Sequence, residues 1–301
     1  MRERSDAGSP DRDDTFRQSW NASVVMERTC DRLSLEQLRR HLNTEVVGHH
    51  VYVFNSVDST NRVLARLADR GATEGTVVLA EAQTAGRGRH GSEWFSPEGV
   101  NLYASILFHP RIAPRELPLF VPIASLALAE AVWLEGAPAM IKWPNDVVVR
   151  GRKLGGVLVE APVISGRLAY LILGIGVNLN VHPAELTAAL GRHAEGAVSL
   201  HEVLGRDVDR NTFAAALLGR LEKWYHTFST RGPDAVRAAW LARDALRGRR
   251  VEARTEAAIC EGRCHGIDSD GSLILEDEAG QTQHIVTGAV RVLDSRPGEN
   301  D

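Results

Sequence analysis

Apolar and polar positions fall into short periodic runs from Ser34 to Leu293, whereas residues 1–30, rich in Asp, Arg, Ser and Gly, show little periodicity and read as a disordered tail. Residues 296–301 read as a second tail. Leu35, Leu38 and Leu42 share one face of a short helix that Ser34 and Gln37 would open as a capping box. Alternation over 50–54 predicts a strand. Ser59 and Thr60 can cap a helix that turns Val63, Leu64 and Leu67 inward and stops at Gly71, and 76–82 is the next strand. A strand over 100–108, a largely buried helix over 115–134 and apolar β segments over 140–143, 153–159 and 168–177 follow. Residues 211–228 are helical, with Phe213, Leu217, Leu221, Trp224 and Phe228 on the inner face. Strands flanked by helices predict an α+β unit on a mixed sheet, spanning 31–245.

After Arg247 the texture shifts to short strands over 250–253, 258–267, 272–276 and 284–293, with Asp270-Gly271 as a hairpin turn. This predicts a small β-barrel, a second domain over 246–295 at the marginal end of independent folding.

Composition narrows the class. A chain of 301 residues, 44% hydrophobic and 25% charged, can bury a core sized for about two domains. A formal net charge of −4 gives no basic footprint for nucleic acid. The first fourteen residues are charged and lack the apolar core of a secretory signal, and the longest apolar run, 119–129, is far short of a membrane span. Three cysteines, Cys30, Cys260 and Cys264, make no disulfide framework. The expected location is the cytoplasm.

Chemistry concentrates in five places. Gln83-Thr84-Ala85-Gly86-Arg87-Gly88-Arg89-His90-Gly91, with Trp94 behind it, follows the 76–82 strand. Its glycines let main-chain N–H groups approach an anion, and its arginines add fixed charge and forked hydrogen bonds. The spacing is neither a Walker loop nor a dinucleotide fingerprint. Ser59, Thr60 and Asn61 gather at a helix N-terminus, where a polar ring, an anion or simple capping would each suit them. Lys142-Trp143-Pro144-Asn145-Asp146 presents an amide and a carboxylate at a break in a strand. Lys153-Leu154-Gly155-Gly156 sets a lysine before two residues that permit close approach, in a strand continuing to Glu160. Gly174-Ile175-Gly176-Val177-Asn178 runs a strand into an asparagine. Taken singly the last four are a cap, a turn, a solvated lysine and a bulge.

Taken together, in this order, they resemble the biotin protein ligase family over about residues 50–293, in a short form without the N-terminal DNA-binding domain. The resemblance implies a catalytic domain of the biotin/lipoate ligase type and a small C-terminal SH3-like β-barrel. It implies an ATP-dependent ligase that activates biotin to biotinyl-5'-AMP and transfers it to a lysine of a biotin carrier domain of the acetyl-CoA carboxylase type. Lys153, Arg87 and Arg89 would supply the charge for catalysis. Ser59, Thr60, Asn61, Gln83, Gly88 and the same three cations would hold biotin. Arg89, Asn145, Asp146 and Asn178 would contact the nucleotide, with Asp146 on Mg²⁺. The resemblance leaves a homodimer open, and implies no specific DNA and no membrane partner. Ser92 and Ala197 depart from the family pattern, which usually has an arginine shortly before Trp94 and often a tryptophan at the place of Ala197.

Lipoate and octanoate ligases or transferases share the architecture, but their characteristic loops are absent. A non-catalytic carrier-binding module is disfavoured by the intact Arg89 and Lys153. Cys260, Cys264 and His265 lack a second ligand pair for zinc.

Overall fold

Seven strands make the main sheet: β1 (Val51–Val57), β2 (Val77–Gln83), β3 (Leu102–Phe108), β4 (Ala139–Lys142), β5 (Asp146–Val149), β6 (Arg152–Glu160) and β9 (Leu171–Val177). They lie in the order β1-β2-β3-β9-β6-β5-β4, and only β1 and β2 pair in parallel. A short hairpin, β7 (Val163–Ile164) and β8 (Arg167–Leu168), links β6 to β9. The computed structural model describes residues 32–293, so the expected tails at 1–30 and 296–301 lie outside the described residues.

The helices are α1 (Leu35–His41), α2 (Thr60–Ala68), α3 (Phe120–Leu134), α4 (Pro183–Leu190), α5 (Leu200–Leu204), α6 (Arg210–Arg231) and α7 (Pro233–Leu241). Strand alternation splits the buried residues into two layers. Val77, Leu79, Ala104, Ile106 and Phe108 face the large core shared with α3 and α6. Val78, Leu107 and Ile172 face the other way, where Leu64 of α2 completes a smaller cluster. Ser105 alternates onto this second face, which places a hydroxyl beneath the N-terminus of α2.

Several elements differ from the sequence expectation. The 115–134 helix is a 3₁₀ turn over Pro114–Leu119 followed by α3, because Pro118 lacks the N–H an α-turn would use there, while Pro122 falls in the first turn of α3 where no N–H partner is needed. The continuous stretch Pro114–Leu134 is long and apolar enough to cross a membrane by length and composition, a better candidate than residues 119–129, but most of it is buried inside the protein. At α1 only half the capping box forms. Ser34 Oγ accepts from Gln37 N, but the Ser34 N–H donates to Asn211 Oδ1 of α6, a tertiary acceptor that displaces the local one. Strand β5 and helices α4, α5 and α7 have no counterpart in the expected elements, being short or weakly periodic.

Arg210 at the start of α6 is fully buried and bonds Glu81 at 2.7 Å, while the Leu33 N–H donates to the other Glu81 oxygen at 2.7 Å. This pair ties α6 and the segment before α1 to strand β2 of the sheet.

Residues beyond Arg249 form five antiparallel strands, β10 (Arg250–Arg254), β11 (Ile259–Ile267), β12 (Leu273–Glu276), β13 (Thr282–Ile285) and β14 (Ala289–Val292), ordered β13-β12-β11-β10-β14. Gly271, with φ +86°, turns β11 into β12. Val251, Ala253, Cys264, Ile267, Leu273, Leu275 and Ile285 join the same apolar cluster as the large sheet. Main-chain bonds from Ile141 to Arg243 and from Ala245 to Ile141 stitch the connecting segment to the edge strand β4. The small sheet is therefore braced against the large one through the element that leads into Trp143 and Asp146.

Candidate active site

Backbone register builds the floor of the site before any polar group is considered. On the α2 face of the sheet, Ser105 of β3 pairs with Gly174 of β9, Tyr103 pairs with Gly176, and β6 contributes Gly156 opposite Gly176. Three adjacent glycines leave a trough where side chains would otherwise stand. A Cβ on Gly176 would come within 2.6 Å of the Trp94 indole, and one on Gly174 within 3.0 Å of Asn61 Cγ, so both groups lie directly on the glycine floor. The trough is a cavity of about 300 Å³.

A bulge then aims Lys153. Pairing between β5 and β6 slips after Val147, so that Val148 faces Lys153 and Val147 faces Gly155. Leu154 and Val157 both enter the core, which leaves Lys153 on the cavity side with Gly156. Lys153 Nζ lies 2.6 Å from Asp146 Oδ1 and 5.3 Å from the centre of the Trp94 ring. The sequence reading allows a bulge at β9; it is β6 that carries one.

The N-terminus of α2 supplies the polar wall. Ser59 is buried and makes no capping bond to the helix, so the simple capping role does not hold. The Thr60 N–H donates to Gln83 Oε1 at 2.9 Å, and Ser105 Oγ lies 2.7 Å from Thr60 Oγ1 and 2.5 Å from Asn61 Oδ1. Gln83 Nε2 donates to Ser96 Oγ, which in turn donates to the Trp94 carbonyl.

The glycine-arginine segment is a hairpin over the cavity mouth. Gly88 N–H bonds Ser92 O, Trp94 N–H bonds Gly86 O, and Ser92 Oγ donates to Arg89 O. Gly91 takes φ +74°, which a side chain would disfavour, and His90 before it takes +53°. Ser92, where the family pattern has an arginine, thus closes the hairpin by hydrogen bonds. Arg87 reaches inward to Glu160 at 2.7 Å, and its Nε is buried without a partner, as is Trp94 Nε1. Arg89 donates to Asn145 Oδ1, Thr287 Oγ1 and Gly288 O. Burial pulls the Arg89 guanidinium below its ordinary range, and the charge of Asp146 pushes it partly back.

Of the residues singled out from sequence, Ser59, Thr60, Asn61, Gln83, Arg87, Gly88, Arg89, Asn145, Asp146 and Lys153 all line this one cavity. Asn178 does not. It is buried behind the wall, accepting nothing from the cavity, with its N–H on Leu154 O and its Nδ2 on Val198 O. It thereby holds the segment containing Ala197, which bridges to Lys153. Sequence reasoning omits Trp94, which lines the cavity, and Glu160, which bonds two lining residues, although both stand inside quoted motifs, and it misses the supporting hydroxyls of Ser105 and Thr287 and the Gly288–Val290 lining altogether. The last group comes from the small sheet, and no local pattern links residue 288 to residue 89. Trp143, whose peptide bond to Pro144 is cis, makes a similar connection to the small sheet, donating from Nε1 to Gly271 O. Cys264 is buried with its thiol pushed up to about 12 mainly by burial, while His265 points to the opposite side of β11 and pairs with Glu276.

Comparison with known proteins gives the family. Residues 53–178 match the Biotin/lipoate A/B protein ligase family, and residues 247–292 match the biotin protein ligase C-terminal domain. The bifunctional ligase/repressor BirA of Bacillus subtilis is 33% identical over 250 residues, covering 83% of this chain and 76% of that protein. The biotin–[acetyl-CoA-carboxylase] ligase of Paracoccus denitrificans is 37% identical over 227 residues, 74% of this chain and 93% of the relative. Among solved structures, the biotin protein ligase of Aquifex aeolicus in complex with biotin and ATP superposes with a TM-score of 0.69 at 27% identity, covering 81% of this chain and all of that one. With both segments matched and relatives aligned over most of their length, the chain belongs to the biotin protein ligase family of adenylate-forming ligases.

Proposed function

We propose that this protein activates biotin with ATP to biotinyl-5'-AMP and transfers the biotinyl group to a lysine of a biotin carboxyl carrier domain, as in acetyl-CoA carboxylase. The observation that carries the reading is the convergence of a polar wall, two arginines and Lys153 on one glycine-floored trough. A carboxylate attacking the α-phosphate of ATP brings two anions together, so the reaction needs fixed positive charge aimed at the bond being made. Arg87, Arg89 and Lys153 are three of the four lysine and arginine residues lining that cavity, the fourth being Lys142. In the first step a biotin carboxylate oxygen bonds to the α-phosphorus and pyrophosphate leaves. In the second, the carrier lysine amine bonds to the biotin carbonyl carbon and AMP leaves with the electron pair of the broken anhydride bond.

Ser59, Thr60, Asn61 and Gln83 suit a polar ureido ring, and a buried polar wall rejects analogues that leave its groups without partners. Asn145 and Asp146 lie on the nucleotide side of this reading. One carboxylate with substrate phosphates is an ordinary donor set for Mg²⁺, and Asp146 fits it, supplying a place for an ion that offsets phosphate charge.

The test is biotin-dependent exchange of labelled pyrophosphate into ATP with Mg²⁺, followed by label transfer to a carrier domain, with lipoate and octanoate as competitors. Biotin should drive exchange and lipoate should not. Exchange with lipoate alone would move the assignment to the lipoate and octanoate enzymes of the same fold.

A further inference from the structure

Glu160 does not line the cavity, yet two residues that do are fixed by it. Its Oε2 accepts from Arg87 Nη2 at 2.7 Å and from Asn61 Nδ2 at 2.6 Å. These donors belong to separate elements, the hairpin after β2 and the first turn of α2, and they are 73 and 99 residues from Glu160 in the chain. One carboxylate oxygen at the end of β6 is therefore the common tie between the lid and the polar wall.

We propose that Glu160 is a positioning residue for the ligation reaction, setting Asn61 and Arg87 for the biotin ring. The inference rests on the function proposed above. Asn61 is held at both ends of its amide, with Oδ1 on the Ser105 hydroxyl and Nδ2 on Glu160. That arrangement fixes which way the amide faces and leaves one N–H and one lone pair for a ligand. Because Asn61 lies against Gly174, rotation of the amide would change the shape of the cavity floor as well as its polarity. Arg87 is the lid side chain that reaches inward past the wall to Glu160, and of the two carboxylates lining the cavity, Glu93 and Asp146, the latter is engaged by Lys153. A charged oxygen serves both donors at once, and charge-assisted bonds of this length are the strong ones. A neutral amide at 160 keeps one oxygen that could meet both donors, but it loses the negative charge that strengthens both bonds and puts an N–H donor beside two groups that are themselves donors.

The test uses the full chain with Glu160→Gln, Arg87→Ala and the double variant. Glu160 is one-third exposed at a strand end, so the isosteric substitution leaves the core untouched. In biotin-dependent exchange, Glu160→Gln should raise the KM for biotin about tenfold while leaving kcat and the KM for ATP within about threefold, the mark of lost ground-state binding. Added to Arg87→Ala, the same change should cost clearly less than it does alone, because the Arg87 contact is already gone and only the one to Asn61 remains to be lost. Without any ligand, trypsin should cut after Arg87 several-fold faster in Glu160→Gln than in the wild-type protein, an outcome that does not depend on biotin. An unchanged biotin KM, an equal cost with and without Arg87, or an unchanged rate of cleavage at Arg87 would each overturn the positioning role. A wild-type protein that fails to exchange with biotin would instead overturn the proposed function and leave the tryptic result standing.

Discussion

Lys153 shows how a single side chain acquires a role from its backbone. A bulge turns it to the cavity, Asp146 holds its ammonium at 2.6 Å, and the Trp94 face lies behind it. An incoming phosphate or carboxylate must share that ammonium with Asp146, so Lys153 contributes most where negative charge accumulates at the reacting bond. Lys153→Ala should lower the rate of pyrophosphate exchange about a hundredfold or more, with a smaller effect on biotin affinity measured by calorimetry. Equal exchange rates in the two proteins would reduce Lys153 to a structural partner of Asp146. Asn178 teaches the reverse lesson. Its place in a quoted motif points to the nucleotide, whereas its bonds to Leu154 and Val198 serve the wall behind Lys153.

At the scale of elements, the hairpin over the cavity is held by few main-chain bonds and by two arginines that end on other parts of the protein. Such a segment opens locally at a small fraction of the global unfolding free energy. Ligands that bind beneath it should suppress the opening. Biotin with a non-hydrolysable ATP analogue is expected to slow tryptic cleavage after Arg87 and Arg89 at least fivefold or so, by mass action on the closed form. Cleavage at the same rate with and without ligands would show that the hairpin is a fixed wall. The motifs of this region were legible because glycine and arginine at short spacing have few other uses. The hydrogen-bonding part of Ser92 was not, since a serine in a turn carries no distinctive signal until its partner Arg89 O is brought within 2.8 Å.

For the whole molecule, the junction between the two sheets carries a titratable group. Asp244 sits between α7 and β10, buried, with one oxygen on the Leu246 N–H and the other without a partner. Burial lifts its carboxyl to about 6, against the smaller opposing pull of the Leu246 N–H and Arg247. Between the ordinary carboxylate value and about 6 the folded protein keeps a proton that the unfolded chain has lost. Stability from this group is therefore full in acid and is lost as the pH rises through about 6. Asp244→Asn retains an acceptor for Leu246 and carries no charge. Relative to the wild type it should gain on the order of 1–3 kcal/mol on going from about pH 4.5 to pH 7.5, measured by urea unfolding. Parallel stability curves for the two proteins over that range would exclude the effect.

How far the chain announced all this depends on the range of the interactions involved. Apolar alternation and helical spacing act within a few residues, so the mixed sheet, α2, α3 and α6, the small β unit and the candidate cavity residues apart from Asn178 could be read directly. Glycine at 156, 174 and 176 was visible as small residues in strands, but only antiparallel register set the three side by side as a floor. Glu160, Ser105 and Thr287 were silent because a carboxylate or hydroxyl has no direction in sequence. Their roles were decided by the fold, which brought Arg87, Asn61 and Arg89 to them across 44 to 198 residues of chain.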